Sequence, residues 1–146
     1  MIHVEIVLSY IGLVSAVMSY RGYKSEASNI VCVSTEKPSS CKILYSIPQA
    51  FFLGRIHFSS LSLVFFGLVA VLATLRMLLG AWNHEPQLAM LADYASKTLW
   101  LLALPFIPYL VYLELRVARA VCIWCTIMHV IVVVMASYTM YTLLLR

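Results

Sequence analysis

"SSLSLVFFGLVAVLATLRMLL" occupies residues 59–79 and holds one charged side chain, Arg76, close to its end. As an α-helix this run is about 30 Å long, the thickness of the hydrocarbon core of a bilayer. The aliphatic stem of Arg76 lets its guanidinium snorkel to the headgroups, so the run reads as a transmembrane helix. The rest of the chain agrees. Of its 146 residues 63% are hydrophobic and 11% charged, whereas a soluble domain carries about 25% charged residues. This composition excludes the soluble classes. The net charge of +4 does not point to nucleic acid, because Lys and Arg are scattered beside apolar runs, where anionic lipid headgroups are their natural partners.

Three further runs are long and apolar enough to cross, at about residues 2–20, 98–113 and 117–145. The first has no basic leader and no small-residue cleavage pattern, and reads as a retained helix rather than a signal peptide. The third contains Pro105 and Pro108, which predict a kink. Residues 80–97, with Asn83-His84-Glu85-Pro86, read as a polar link. Residues 21–58 form the longest polar stretch, with a turn signal at Pro38-Ser39-Ser40. The expectation is one membrane domain over residues 1–146, all-α, with four spans and both termini on one side.

That parity decides where the cysteines lie. Cys32 and Cys41 are in the first loop, and Cys122 and Cys125 open the fourth span within Cys122-Ile123-Trp124-Cys125. All four therefore share one membrane face. Cys-x-x-Cys alone suits a redox switch, half of a metal site, or plain apolar packing. A second pair forced to the same face favours redox chemistry. Zinc fits less well, because eight residues separate the loop cysteines, loose spacing for a knuckle. A helical fourth span predicts one stripe of Cys122, Cys125 and His129 at three- and four-residue spacing. Arg119, one turn earlier, and the helix N-terminus would both favour the thiolate. The loop pair suits exchange with the motif pair by thiolate attack, and without a flavin or metal motif the simplest final acceptor is a lipid-soluble quinone. His129 inside a span is either a quinone contact or a side chain bonded to a neighbour. His57 and His84 read as interfacial. Phe51-Phe52-Leu53 reads as a cap or a loop anchor, and Trp100, Tyr109, Tyr112, Tyr138 and Tyr141 as belt or core residues.

Two loop cysteines after the first span, then Cys-x-x-Cys opening the fourth, resemble the vitamin K epoxide reductase family over essentially the whole chain, in particular its microbial thiol-oxidising members. The resemblance implies a four-helix bundle around a quinone of the menaquinone or ubiquinone type, capped by the first loop, with no metal. By position, Cys125 would react with the quinone and Cys122 would be its partner. Cys41 would bridge to Cys122, Cys32 would meet the protein donor, and His129 would contact the quinone. Two features depart from the family: its loop Ser or Thr falls on Ile47, with Ser46 one position early, and its Gly-Ile-Pro stretch is matched only by Arg55-Ile56-His57.

The implied activity is a membrane thiol:quinone oxidoreductase that makes disulfides for a separate thioredoxin-like (DsbA/PDI-like) protein. Reduction of a quinone epoxide, and a non-enzymatic scaffold stapled by disulfides, are the alternatives. The expected location is a cell membrane, multi-pass, but the face is contested. Disulfide chemistry favours the outside. Arg21, Lys24, Lys37, Lys42, Arg55, Arg116 and Arg119 lie on the cysteine face, against Arg76, Lys97 and Arg146 on the other, and this excess favours a cytoplasmic face.

Overall fold

In a bilayer the apolar surface of a helix faces lipid, so the polar and small residues are left to pair helix with helix. The first helix is built on that rule. In α1 (Ile2–Ser25) the residues Glu5, Ser9, Gly12, Ala16 and Ser19 recur at four- and three-residue intervals and are buried, while Val4, Val7, Ile11 and Val14 are exposed. The computed structural model describes residues 2–25, 32–34, 48–52, 55–82 and 86–145.

Within these, α1 is followed by β1 (Cys32–Ser34), a single 3-10 turn at Pro48–Ala50, β2 (Phe51–Phe52) and β3 (Ile56–His57). Then come α2 (Phe58–Trp82), α3 (Pro86–Ala103), α4 (Phe106–Tyr112), β4 (Ala120–Cys122) and α5 (Ile123–Leu144). Four helical stretches are long and apolar enough to cross a membrane: 3–24, 58–80, 87–118 and 123–144. The fold is an all-α, four-span bundle whose short strands lie at one end. At its core the rings of Phe65, Phe66 and Trp100 meet edge to face, packed by Ala16, Val69, Met128, Ile131, Val132 and Met135. At Gly12 helices α1 and α2 approach closely, since a Cβ there would lie 2.1 Å from Phe66 Cε1.

Two boundaries differ from the sequence reading. The third span begins at Pro86, not near Thr98, so much of the expected polar link is helix. Asp93, Ser96 and Lys97 are turned toward the bundle rather than to water. Ala92, Ser96 and Trp100 form a buried stripe, while Leu88, Met90, Leu91 and Tyr94 are exposed. Pro86 suits the first turn, where its missing N–H has no helical partner. The expected proline kink is present: the helix breaks at Leu104–Pro105, where Ile107 N–H bonds the Leu104 carbonyl at 3.1 Å.

The fourth span likewise begins as a helix at Ile123, not near Val117. Residues Leu113–Ala118 continue α4 as a π-turn that ends at Arg119, whose φ of 50° is left-handed. Residues 120–122 then pair antiparallel with residues 32–34. Strand pairing with the first loop thus replaces the first turns expected of the fourth helix.

Candidate functional site

The π-turn and the strand decide what faces the thiols. Cys122 is fully buried in extended backbone as the N-cap of α5 (φ −88°, ψ 118°). Cys125 is on the first turn of the helix. The expected helical stripe therefore holds for Cys125 and His129 but not for Cys122. The two thiol side chains still interact, and no disulfide joins them. Ser19 Oγ lies 3.6 Å from Cys125 Sγ and 3.3 Å from Ser59 Oγ, which links α1, α2 and α5 at the pair.

A cavity of about 410 Å³ opens beside Cys125, within the range of small-ligand pockets. Its walls are apolar, from Phe65, Phe66, Leu99, Ile107, Met128 and Val132. A few polar groups interrupt them: Ser19, Ser59, Ser62, His57, His129 and Glu114. Val64, Leu68, Leu102 and Phe106, also on its wall, are exposed on the outer surface of the bundle, so the cavity reaches the lipid side.

All of these polar residues except His129 escaped the sequence reading. Ser19 and Glu114 carry no motif. His57, expected at the interface, is instead 5% exposed. Its Nδ1 accepts the Ser59 N–H at 3.0 Å, and its ring stacks on Tyr23 with centroids 4.2 Å apart and planes 9° from parallel. Phe51 meets both rings edge on. Burial lowers the His57 pKa from 6.5 to about 4, so the imidazole is neutral at physiological pH. A signal for Ser19 and Glu114 existed only in helical phase. Ser19 continues the inward stripe of α1, and Glu114 interrupts an otherwise apolar segment.

Arg119 is placed differently from the sequence reading. It is exposed at the left-handed end of the π-turn, where its N–H bonds the Glu114 carbonyl, and extended strand rather than a helical turn separates it from Cys122. The acidic side chain facing the thiols is Glu114. It is 6% exposed, its carboxylate accepts the Cys122 backbone N–H, and it interacts electrostatically with both cysteines.

The loop cysteines are described in part. The β1–β4 register sets the Cα of Cys32 opposite that of Cys122. Directly opposed residues of an antiparallel pair lie about 4.5–5.5 Å apart, inside the range that a disulfide spans. Cys41, Ile47, Ser46, Leu53 and His84 lie outside the described residues. Among the described residues no three His, Cys, Asp or Glu side chains gather as a metal site.

An apolar, carbonyl-bearing ring fits this cavity. Its walls offer ring contacts, its few hydroxyl and imidazole groups offer hydrogen bonds to carbonyl oxygens, and a thiol stands at its head. No match is found among curated proteins or among solved structures. A family model does match residues 4–140, nearly the whole chain. Proteins of that family are membrane oxidoreductases that link cysteine thiols to a quinone or its epoxide, generally with thioredoxin-like partners, and this chain belongs to the vitamin K epoxide reductase family.

Proposed function

We propose that the protein is a thiol:quinone oxidoreductase that makes disulfides, taking electrons from a thioredoxin-like protein through Cys32 and Cys41 to Cys122 and Cys125. The observation that carries this reading is the Cys122–Cys125 pair at the head of an apolar cavity reaching the lipid side. A lipid-borne acceptor has access there, and a folded, water-soluble donor protein does not. A quinone bound in the cavity supplies a two-electron, two-proton sink.

Each of the chain's own residues has a task in this reading. Cys125 faces the cavity, and Ser19 and Ser59 orient its sulfur. Phe65, Phe66, Met128 and Val132 hold the ring and exclude water. His129, one turn beyond Cys125 on the same cavity wall, and His57 are the polar contacts for carbonyl oxygens. Cys122 closes the disulfide with Cys125 as the electron pair leaves. A loop thiolate then attacks the bridge at Cys122 and releases Cys125 as the cavity-facing thiol. The second loop cysteine attacks this mixed disulfide, frees Cys122 as a thiol and leaves the loop pair as a disulfide, which the donor dithiol reduces while becoming a disulfide itself. The strand register supports Cys32 as that attacking thiolate, whereas the family pattern gives the step to Cys41.

The test is quinone reduction by purified protein in detergent or nanodiscs, with dithiothreitol or a thioredoxin-like protein as donor. Cys125→Ser abolishes turnover with both donors. Cys32→Ser and Cys41→Ser lose turnover with the protein donor and retain it with dithiothreitol. If Cys125→Ser matches wild type, the reading fails and a disulfide-stapled scaffold replaces it. Turnover of a quinone epoxide with no quinone reduction would assign the epoxide reaction instead.

A further inference from the structure

Oxidation of a dithiol releases two protons as well as two electrons. Cys122 has no exposed surface, and the walls around Cys125 are apolar, so neither thiol discharges its proton directly into bulk water. A carboxyl group stands at this place. Among the described residues, Glu114 is the only acidic one lining the cavity. Its carboxylate holds the backbone N–H of Cys122 and interacts with both cysteines. Among the described residues, the ion pairs formed by carboxylates involve Glu5 and Asp93, not Glu114.

A carboxyl group buried within a span is costly to retain, and such groups mark proton routes in membrane proteins. The backbone here is also unusual. The π-turn over Leu113–Ala118 buries Leu113, Glu114 and Ala118 while leaving Leu115, Arg116 and Val117 exposed, and π-turns recur at functional sites. It holds Glu114 between the thiols and the exposed end of the segment.

We propose that Glu114 is the proton acceptor of the Cys122–Cys125 pair, an assignment that deepens the thiol:quinone reading and rests on it. During oxidation both S–H bonds break and one S–S bond forms. The Cys122 proton passes to the Glu114 carboxylate, and the Cys125 proton leaves toward the cavity. The electron pair and both protons end on the quinone, giving the quinol, and Glu114 is a carboxylate again. The other titratable groups around this carboxyl are Cys122 and Cys125 from β4 and α5, His129 from α5, and His57 from the strand end before α2. Arg116 and Arg119 on its own segment are exposed.

The test uses Glu114→Gln, which keeps an acceptor for the Cys122 N–H but cannot take a proton, and Glu114→Asp, which can. Without quinone, the alkylation rate of the motif pair is followed against pH in a Cys32→Ser/Cys41→Ser background. Coupled groups titrate in more than one step, so the parent profile carries an inflection from the Glu114 carboxyl that the Glu114→Gln profile lacks. With quinone and dithiothreitol, Glu114→Gln lowers kcat by about tenfold or more with KM little changed, in the range of acid–base contributions, and Glu114→Asp recovers part of the loss. Identical alkylation profiles in parent and Glu114→Gln overturn the assignment, as does an unchanged kcat. A wild type that fails to reduce quinone sinks the thiol:quinone reading, while the alkylation profiles still decide whether Glu114 exchanges protons with the pair.

Discussion

Cys122 and Cys125 are the same side chain held in two different backbones, and the difference separates their tasks. Cys122 is the extended N-cap, locked between β1 and Glu114, with no route to lipid. Cys125 is one turn into α5 with the cavity before it. His57 shows the same dependence on surroundings. Its pKa of about 4 follows from burial, and the sign of its effect on stability can be worked out. Between pH 6.5 and 4 the unfolded imidazole binds a proton that the folded one does not, so folding loses stability as pH falls through that window. In detergent, the midpoint of thermal unfolding falls between pH 6.5 and 4, and His57→Gln flattens that part of the profile. An equal slope in the variant would place the acid sensitivity elsewhere.

At the scale of elements, α1 is a helix with its polar face inside. Its buried stripe of Glu5, Ser9, Gly12, Ala16 and Ser19 is small enough to admit Phe66 at Gly12. Ser9 and Ser15 return their hydroxyls to carbonyls four residues earlier, at 2.7 and 2.9 Å, and so satisfy themselves without a partner helix. Gly12→Ala puts a methyl group into the Phe66 ring. Overpacking of this kind costs about 1–3 kcal/mol, and the unfolding midpoint in detergent drops accordingly. Pairing Gly12→Ala with Phe66→Leu restores part of the loss, because the clash is with that ring. If the single variant is as stable as wild type, the helices do not approach there as closely as described.

For the whole molecule, the two ends of the bundle carry opposite kinds of chemistry. At one end are the thiols. Toward the other, Arg76 Nη1 joins Glu5 at 2.7 Å and Asp93 at 2.6 Å, Lys97 bonds Asp93 at 2.7 Å, and Ser96 donates to Glu5 at 2.5 Å. Two carboxylates and two cations balance there and tie α1, α2 and α3 together. Removing one partner of a buried pair strands the other charge. Arg76→Ala leaves Glu5 and Asp93 facing each other with only Lys97, a loss of about 2–4 kcal/mol after allowing for partial exposure. Arg76→Ala combined with Glu5→Gln is milder than Arg76→Ala alone. Thermal unfolding of the three proteins checks this order. A double variant no better than the single one would show that the charges act independently.

The amino-acid sequence by itself determined the membrane class, the four spans and the proline break. Hydrophobic run length and residue type are local properties, and a bilayer reads them directly. Tertiary structure alone decided which polar side chains meet. The polarity of residues 86–97 looked like a water-facing link because composition does not reveal which helical face points inward. Glu114 drew no reading and His57 looked like an interfacial residue, because their burial depends on a π-turn and on a strand end packed against Tyr23. Arg119 looked like the neighbour of the thiols because a continuous helix was assumed. Strand pairing with a distant loop broke that helix, brought Cys32 opposite Cys122, and left Glu114 in place of Arg119 beside the pair.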